Sequence, residues 1–348
     1  MDALTSKQQH LWRLVKTIIR SSTTTTSRHK VLVTRTVPNK AITMLAQKCE
    51  VDQWNSSQPI PRQVLLDRIK DVDALFCLLT DKIDQQVLDT AASLKVLATM
   101  SVGYDHIDID ACRSRGLKLG YTPDVLTEAT AELTIALLLC TARRLIQANK
   151  QVYNGGWGTW DPLWMLGNGI KGSTVGIVGL GRIGYSVAEK LKPFHPEKIL
   201  YVNRTAANPK AESELGLEKV DLSCLVRSSH FVVVCCALNA ETKHMFNRQT
   251  FAKMKSTAIL VNSSRGPLVE QEALYDALYS GQIAAAGLDV CYPEPLPTHH
   301  KLLSLDNCVV LPHIGSATAE TRENMATLTA ANILAALQNK HMPSPIPL

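Results

Sequence analysis

Gly172-Ser-Thr-Val-Gly-Ile-Val-Gly-Leu-Gly-Arg-Ile-Gly184 is the stretch on which the fold turns. Val175, Ile177 and Val178 form a short β-branched run of the kind that makes a buried strand. The run ends in Gly179-Leu180-Gly181-Arg182-Ile183-Gly184, a G-x-G-x-x-G. Beyond it Ile183, Val187, Ala188 and Leu191 fall on one helical face, and Pro193 marks the stop. Strand, glycine turn and helix, in that order, is the context a dinucleotide fingerprint requires. Gly179 would permit the tight turn, Gly181 would let the backbone approach a pyrophosphate, and Gly184 would let helix and strand pack closely. The pyrophosphate would then sit on the unpaired N–H groups at the positive end of the helix.

A glycine-rich turn alone fits any strand–turn–helix, so a second signal is needed. It lies at the end of the next predicted strand, Lys198-Ile-Leu-Tyr-Val202, followed by Asn203-Arg204-Thr205. About 20 residues after the glycines, an NAD enzyme usually carries an acid for the ribose hydroxyls. Asn203 and Arg204 stand there instead. An acid repels a 2′-phosphate, whereas a guanidinium binds one bidentately. The expected cofactor is therefore NADPH, against the alternative that Arg204 is a solvated loop charge.

From Gly172 onward six strands are predicted: Val175–Leu180, Ile199–Val202, Phe231–Cys236, Ala258–Asn262, Ala285–Val290 and Cys308–Leu311. With helices between them they match a complete doubly wound dinucleotide domain. Upstream, strands near Lys30–Thr34, Glu50–Trp54, Ala74–Leu79, Val96–Thr99 and Leu117–Gly120 alternate with helices near Lys40–Lys48, Pro61–Lys70, Gln85–Ala92 and Ile109–Ser114. That alternation means βαβ units and a second parallel sheet. A long helix is expected from Thr127 to about Tyr153, and a last one, Ala317–Asn339, that returns to the first domain, with an extended tail Pro343–Leu348. The resulting division is an N-terminal extension at 1–29, a discontinuous domain at 30–125 and 317–348, and a dinucleotide domain at 126–316.

The 348 residues suit two domains, and 45% apolar and 20% charged residues are ordinary for a globular protein. Of the net charge of +6, residues 1–30 contribute +5, from six Lys/Arg against Asp2. The body therefore has no electrostatic bias toward nucleic acid. No apolar run reaches the ~20 residues that span a bilayer. Nine cysteines lack any C-x-x-C pair and sit mostly in apolar runs such as Val232-Val-Val-Cys-Cys236, reading as buried reduced thiols. Leu11, Trp12, Val15, Ile18 and Ile19 follow helical spacing among Arg13, Lys16 and Arg20, before Ser21-Ser-Thr-Thr-Thr-Thr-Ser27. This acid-poor lead is compatible with a mitochondrial transit peptide or with an extension on a cytoplasmic protein. Three of the five tryptophans fall in Trp157-Gly-Thr-Trp160-Asp-Pro-Leu-Trp164, which reads as an interface anchor rather than local core.

Ligands of such sheets bind beyond the carboxyl ends of the strands. Arg265 follows the fourth strand of the second sheet, Asp289 and Glu294 the fifth, and His313 the sixth. Hydride transfer to a 2-keto acid needs a cation for the substrate carboxylate, an acid to protonate the carbonyl oxygen, and a carboxylate to orient that acid and raise its pKa. Arg265, His313 and Glu294 supply the set. Each alone has a bland reading, as a loop anion-binder, an edge histidine or a surface charge. Their succession along one sheet favours catalysis. No metal ligand set is expected.

Five stretches carry a resemblance: Ser101-Val-Gly103-Tyr-Asp105-His-Ile-Asp108, Gly179–Gly184, Asn262–Gly266, Gly287–Val290 with Glu294-Pro295, and Leu311–Ser316. Together they resemble the D-isomer-specific 2-hydroxyacid dehydrogenases over residues 30–340. Gly120–Leu126, Asn154–Trp164 and Met342-Pro-Ser344 resemble the branch of that family that reduces glyoxylate and hydroxypyruvate. The resemblance implies an α/β fold of two doubly wound parallel-sheet domains, a flavodoxin-like substrate domain and a Rossmann domain, with a cleft between them. It implies NADPH-dependent reduction of glyoxylate to glycolate and of hydroxypyruvate to D-glycerate. Val102 and Gly103 would hold the substrate carboxylate through backbone N–H groups, with Arg265, Asp289, His313 and Ser316 in the substrate set. The cofactor set would be Gly179, Gly181, Arg182, Ile183, Gly184, Asn203, Arg204, Thr205, Ala237, Ser263, Asp289 and Gly315. A homodimer built on the cofactor domain is implied, with Trp160 reaching the partner's active site, and closure about Pro123 and Gly315.

Two departures stand out. Tyr104 replaces a smaller aliphatic residue beside the substrate loop, which bears on substrate size. Ala237-Leu-Asn-Ala240 replaces a Leu-Thr-Pro, where the expected contact is mostly backbone. Two other functions fit the same motifs: an NAD-dependent dehydrogenase of another D-2-hydroxy acid, and a non-enzymatic NAD(H)-sensing corepressor-like binder.

Overall fold

The computed structural model of the chain describes residues 28–207 and 209–347. The N-terminal lead, with its transit-peptide and extension readings, lies outside the described residues except for Arg28 and His29. The described residues divide into two units. One runs to Leu126 and resumes at Ala317; the other is Thr127–Ser316.

In the first unit, β1 (His29–Val33), β2 (Cys49–Gln53), β3 (Ala74–Cys77), β4 (Val96–Thr99) and β5 (Lys118–Gly120) form a parallel sheet in the order β2-β1-β3-β4-β5. This is the flavodoxin-like order. Every residue of β3 and β4 is buried, because helices cover both faces of a parallel sheet. The first strand begins at His29, which pairs with Cys49, so the extension expected at 1–29 gives way to the fold one residue early.

The helix Ala319–Leu337 belongs to this unit and is buried at every residue from Met325 to Ala336. Apolar and small residues all round it explain that burial. Its Asn332 is fully buried yet satisfied: Nδ2 donates to the Tyr121 carbonyl at 3.0 Å, and Oδ1 accepts the Ser344 N–H at 2.9 Å. The tail is thereby held extended beside β5, with the Ile346 N–H on the Leu119 carbonyl at 2.8 Å.

The second unit contains seven parallel strands rather than the six expected. They are β6 (Thr174–Val178), β7 (Lys198–Val202), β8 (Leu217–Lys219), β9 (Phe231–Val234), β10 (Ile259–Asn262), β11 (Ala285–Leu288) and β12 (Cys308–Val310). Their order is β12-β11-β10-β9-β6-β7-β8, which puts the chain's reversal point between β6 and β9. The unexpected strand, β8, is a three-residue edge whose Leu217 alone is buried.

The long helix expected over Thr127–Tyr153 is two helices, Thr127–Ala142 and Leu145–Tyr153. Arg144 takes a left-handed conformation at φ 55°. The returning chain supplies the reason: the Asn168 N–H donates to the Ala142 carbonyl at 2.9 Å, taking an acceptor that a continuing helix would use. All nine cysteines are free, four of them buried and five half-buried. Among the described residues no helix is long and apolar enough to cross a membrane.

Candidate active site

The glycine turn sits at the carboxyl end of β6, at the reversal point of the second sheet. Gly179 has φ 94°, and a Cβ there would lie 2.5 Å from the Cys236 backbone. Only glycine meets both demands. Gly184 is the close approach: its Cβ would stand 2.1 Å from the Gly179 carbonyl oxygen. Gly181 is different. It precedes the helix Arg182–Leu191, and a Cβ built there meets nothing within 4 Å. The backbone thus leaves open space above the N–H groups of the helix start, the shape a pyrophosphate fits. Glu128, on the helix Thr127–Ala142, accepts from Ser186 at 2.9 Å and pairs with Lys190, tying the glycine-turn helix in place.

At the end of β7, Asn203 is half-buried, and Arg204 and Thr205 are exposed. Lys219, at the end of β8, brings Nζ to 3.5 Å from the Arg204 carbonyl. Two cations therefore flank a strand end that carries no acid. Sequence reasoning missed Lys219 because it missed the strand that carries it. The Ala237–Ala240 loop is built by its own side chains: Asn239 Oδ1 accepts from Glu241 and Thr242 N–H groups at 2.9 and 3.0 Å, and Thr242 donates to the Ala237 carbonyl at 2.8 Å. Ser263 bonds Thr134 at 2.6 Å and so fixes the loop after β10 to the helix Thr127–Ala142. The neighbouring thiols are inert, because burial pushes Cys235 up to about 12 and Cys236 up to about 11.

Arg265, Glu294 and His313 come together at the carboxyl edge of β10, β11 and β12. The Asn262 side chain holds the Arg265 carbonyl at 2.9 Å, and the Arg265 Nη1 donates to the Ser264 carbonyl at 2.8 Å. Gly266 lets this turn press on the next loop, since a Cβ there would stand 2.1 Å from the Cys291 carbonyl oxygen. From that loop Glu294 Oε1 accepts the Cys291 N–H at 3.0 Å, and Oε2 lies 2.8 Å from His313 Nδ1. Burial pushes Glu294 up. The His313 hydrogen bond and charge, the Cys291 N–H and the Arg265 charge outweigh it, and the carboxyl lies below its ordinary 4.5.

His313 sits at φ 55°, a left-handed conformation that costs a non-glycine residue about 1–3 kcal/mol. Asp289 holds it there. Its carbonyl accepts the His313 N–H at 2.9 Å, and its two carboxylate oxygens accept the Ile314 and Gly315 N–H groups at 2.8 Å each. Asp289, expected to touch substrate and cofactor, is 1% exposed, and its carboxylate anchors the histidine loop through those bonds. Burial raises its carboxyl against the pull of those N–H groups and of His313. Among the described residues His313 Nε2 has no hydrogen-bond partner, which leaves it as the ring's outward donor. Ser316 is half-buried just past this loop.

In the first unit Val102 and Gly103 follow β4, both half-buried, with Ser101 Oγ donating to the Gly103 carbonyl at 2.7 Å. Tyr104 packs edge-on against Tyr121 at 6.0 Å between ring centroids. The tryptophan cluster is not local core: Trp157, Trp160 and Trp164 are 66%, 81% and 39% exposed.

The model of the D-isomer specific 2-hydroxyacid dehydrogenase NAD-binding domain matches residues 135–315. The chain is 52% identical over 322 residues to the glyoxylate reductase/hydroxypyruvate reductase of Mus musculus, covering 92% of this chain and 98% of that one. A crystal structure of a protein from Thermus thermophilus, 42% identical, superposes with a TM-score of 0.85 over 91% of this chain and 100% of that one. The NADPH-dependent glyoxylate/hydroxypyruvate reductase of Sinorhizobium meliloti, solved with NADP and malonate, is 30% identical at a TM-score of 0.80, over 92% of this chain and 97% of its own.

Proposed function

The chain belongs to the D-isomer-specific 2-hydroxyacid dehydrogenase family, and from that premise we propose that it reduces glyoxylate to glycolate and hydroxypyruvate to D-glycerate with NADPH. The observation that carries the reading is the Glu294–His313 pair beside Arg265, at the same sheet edge as the glycine turn. When bound, the reduced nicotinamide supplies a hydride to the carbonyl carbon. His313 gives its Nε2 proton to the carbonyl oxygen as charge builds there. Glu294 keeps Nδ1 engaged, so the ring cannot turn its donor away. Arg265 takes the substrate carboxylate with its fork of N–H donors. Val102 and Gly103, in the first unit, carry backbone N–H groups of the kind that bind a carboxylate.

Preference for NADPH is supported by Asn203, Arg204 and Lys219 at the adenosine-ribose end, where an acid for NAD is missing. The Sinorhizobium meliloti relative is itself NADPH-dependent. A homodimer is supported by one exposed apolar arm, in which Tyr153, Trp160 and Leu163 are 83%, 81% and 78% exposed. Such patches mark association sites. The targeting reading of residues 1–29 is tested by fusing them to a fluorescent protein and imaging its compartment.

Initial rates with glyoxylate and hydroxypyruvate, each with NADPH and NADH, test the whole reading. Turnover of both substrates with NADPH, and loss of turnover but not of NADPH affinity in His313→Ala, is the expected result. Cofactor binding without turnover of either substrate would transfer the reading to another hydroxy acid or to a non-enzymatic binder.

A further inference from the structure

Behind the Val102-Gly103 loop lies a line of polar side chains that the reaction itself does not use. Thr99, the last residue of β4, is fully buried, and Ser101 is 3% exposed. Thr99 Oγ1 lies 2.8 Å from Ser101 Oγ and 3.1 Å from His106 Nε2. Ser101 Oγ lies 2.7 Å from the Gly103 carbonyl oxygen.

The proton order along this line follows from counting hydrogens. A carbonyl only accepts, so Ser101 spends its one hydroxyl proton on Gly103. Ser101 Oγ must then accept from Thr99, which spends its own proton there. Thr99 Oγ1 is left to accept, and the donor is His106 Nε2–H. The chain runs one way: His106 to Thr99 to Ser101 to the Gly103 carbonyl. Linear chains of this kind strengthen each member by polarisation.

The backbone is held on both sides of the same loop. The Thr122 N–H donates to the Ser101 carbonyl at 2.9 Å. In a trans peptide the N–H points opposite the carbonyl, so the Val102 N–H faces away from Thr122. The peptide after Gly103 is fixed by Ser101 Oγ. The ring's own place is set by its backbone: the Ile83 N–H donates to the His106 carbonyl at 2.9 Å, and the Ile107 N–H to the Tyr104 carbonyl at 3.0 Å.

We propose that His106, through Thr99 and Ser101, is a positioning residue that aims the Val102 and Gly103 N–H groups at the substrate carboxylate. This rests on the reading of that loop as the carboxylate holder. Without the His106 donor, the Thr99 hydroxyl is released to turn to the Cys77 sulfur, which is also within its reach. Ser101 then loses the bond that holds its hydroxyl in one rotamer, and the Gly103 carbonyl is left with a weaker, less directed hydrogen bond.

His106→Ala and Thr99→Val should each raise KM for glyoxylate about 5- to 10-fold, the worth of one hydrogen bond in the chain, with a smaller change in kcat. NADPH affinity should stay at the wild-type value, and Tm should fall by no more than the loss of one buried hydrogen bond explains. His106→Gln, whose amide N–H can donate in place of Nε2–H, and Thr99→Ser, which keeps the hydroxyl, should recover most of the loss. A merely structural role would lower Tm in the Ala and Val variants without a selective rise in KM for glyoxylate.

Selective ¹⁵N labelling of Val and Gly in the full chain saturated with NADPH separates this inference from the reading beneath it. The probe is oxamate, an unreactive isostere of a 2-keto acid. If the Val102 and Gly103 amides shift on its addition and the variants leave KM unchanged, the positioning role falls while the loop reading stands. If those amides do not shift, the loop reading falls and takes this inference with it. Shifted amides together with raised and recoverable KM values establish the relay.

Discussion

Glu294 Oε2 lies 2.8 Å from His313 Nδ1, while the other oxygen of the same carboxylate accepts the Cys291 N–H at 3.0 Å. One carboxylate thus fixes both the ring and the loop that carries it. Glu294→Gln keeps the shape and one acceptor but removes the charge. Turnover should fall about 100-fold, at the low end of what a positioned general acid contributes. Because the folded carboxyl lies below its ordinary 4.5, its ionised form stabilises the fold above that value, and the contribution is lost as pH falls through the folded pKa. The stability gap between wild type and Glu294→Gln should therefore be flat near neutrality and close in acid. Urea midpoints across that range check it, and a gap that widens in acid would contradict the pairing.

Gly181 and Gly184 make opposite predictions although they belong to one motif. Gly181 has an ordinary φ of −82° and open space where a side chain would go, so Gly181→Val should fold with unchanged Tm. It should lose cofactor affinity by about tenfold or more, roughly 1.4 kcal/mol, because the side chain fills the space the pyrophosphate needs. Gly184→Val meets the Gly179 carbonyl at 2.1 Å and should cost about 1–3 kcal/mol of stability through overpacking. Calorimetric NADPH binding beside thermal melts separates the two. Normal cofactor affinity in Gly181→Val would remove that residue from the cofactor cradle.

What can be read from the sequence depends on the range of each cause. The glycine turn is legible because Gly179, Gly181 and Gly184 answer to local geometry. The meeting of His313 and Glu294 is legible for a different reason: they follow successive strands of a parallel sheet, and such strand ends share an edge. The break at Arg144 is not legible. Nothing in Arg143-Arg144 forbids a helix, and the cause is a bond from Asn168, far along the chain. The strand β8 escapes notice because three residues, Leu217-Glu-Lys219, carry too little pattern, and Lys219 is lost with it. Asp289 can be placed at the edge, yet its burial and its hold on the Ile314 and Gly315 N–H groups depend on the fold of that loop.

Arg204 and Lys219 should set the cofactor preference together. Charge-assisted bonds contribute about 1.5–3 kcal/mol each, so Arg204→Ala should lower kcat/KM for NADPH about 10- to 100-fold and leave NADH little changed. Lys219→Ala should act in the same direction more weakly, because its Nζ, 3.5 Å from the Arg204 carbonyl, would meet a 2′-phosphate only from the neighbouring strand. Asn203→Asp should go further, repelling the 2′-phosphate and accepting from the ribose hydroxyls of NADH. Equal losses with both cofactors in Arg204→Ala would mean that its guanidinium does not hold a phosphate.

The arm from Leu145 to Leu166 should bring two copies of the chain together. Leu145 and Ile146, 51% and 42% exposed, begin it, and Tyr153, Trp160 and Leu163 extend it. No buried residue lies on the helix Leu145–Tyr153, so its apolar side chains have no core of their own to enter. Large aromatic residues gathered in this way are characteristic of interface anchors rather than of solvated surface. The chain should therefore sediment as a dimer, and Tyr153→Glu, which puts a charge where the partner's apolar face would lie, should shift it toward monomer. Trp160→Ala serves a different purpose. If this ring reaches the partner's active site, the variant should stay dimeric while KM for hydroxypyruvate changes. A monomeric wild-type chain with full turnover would overturn both roles, since the arm would then have neither a partner to cover it nor a second site to enter.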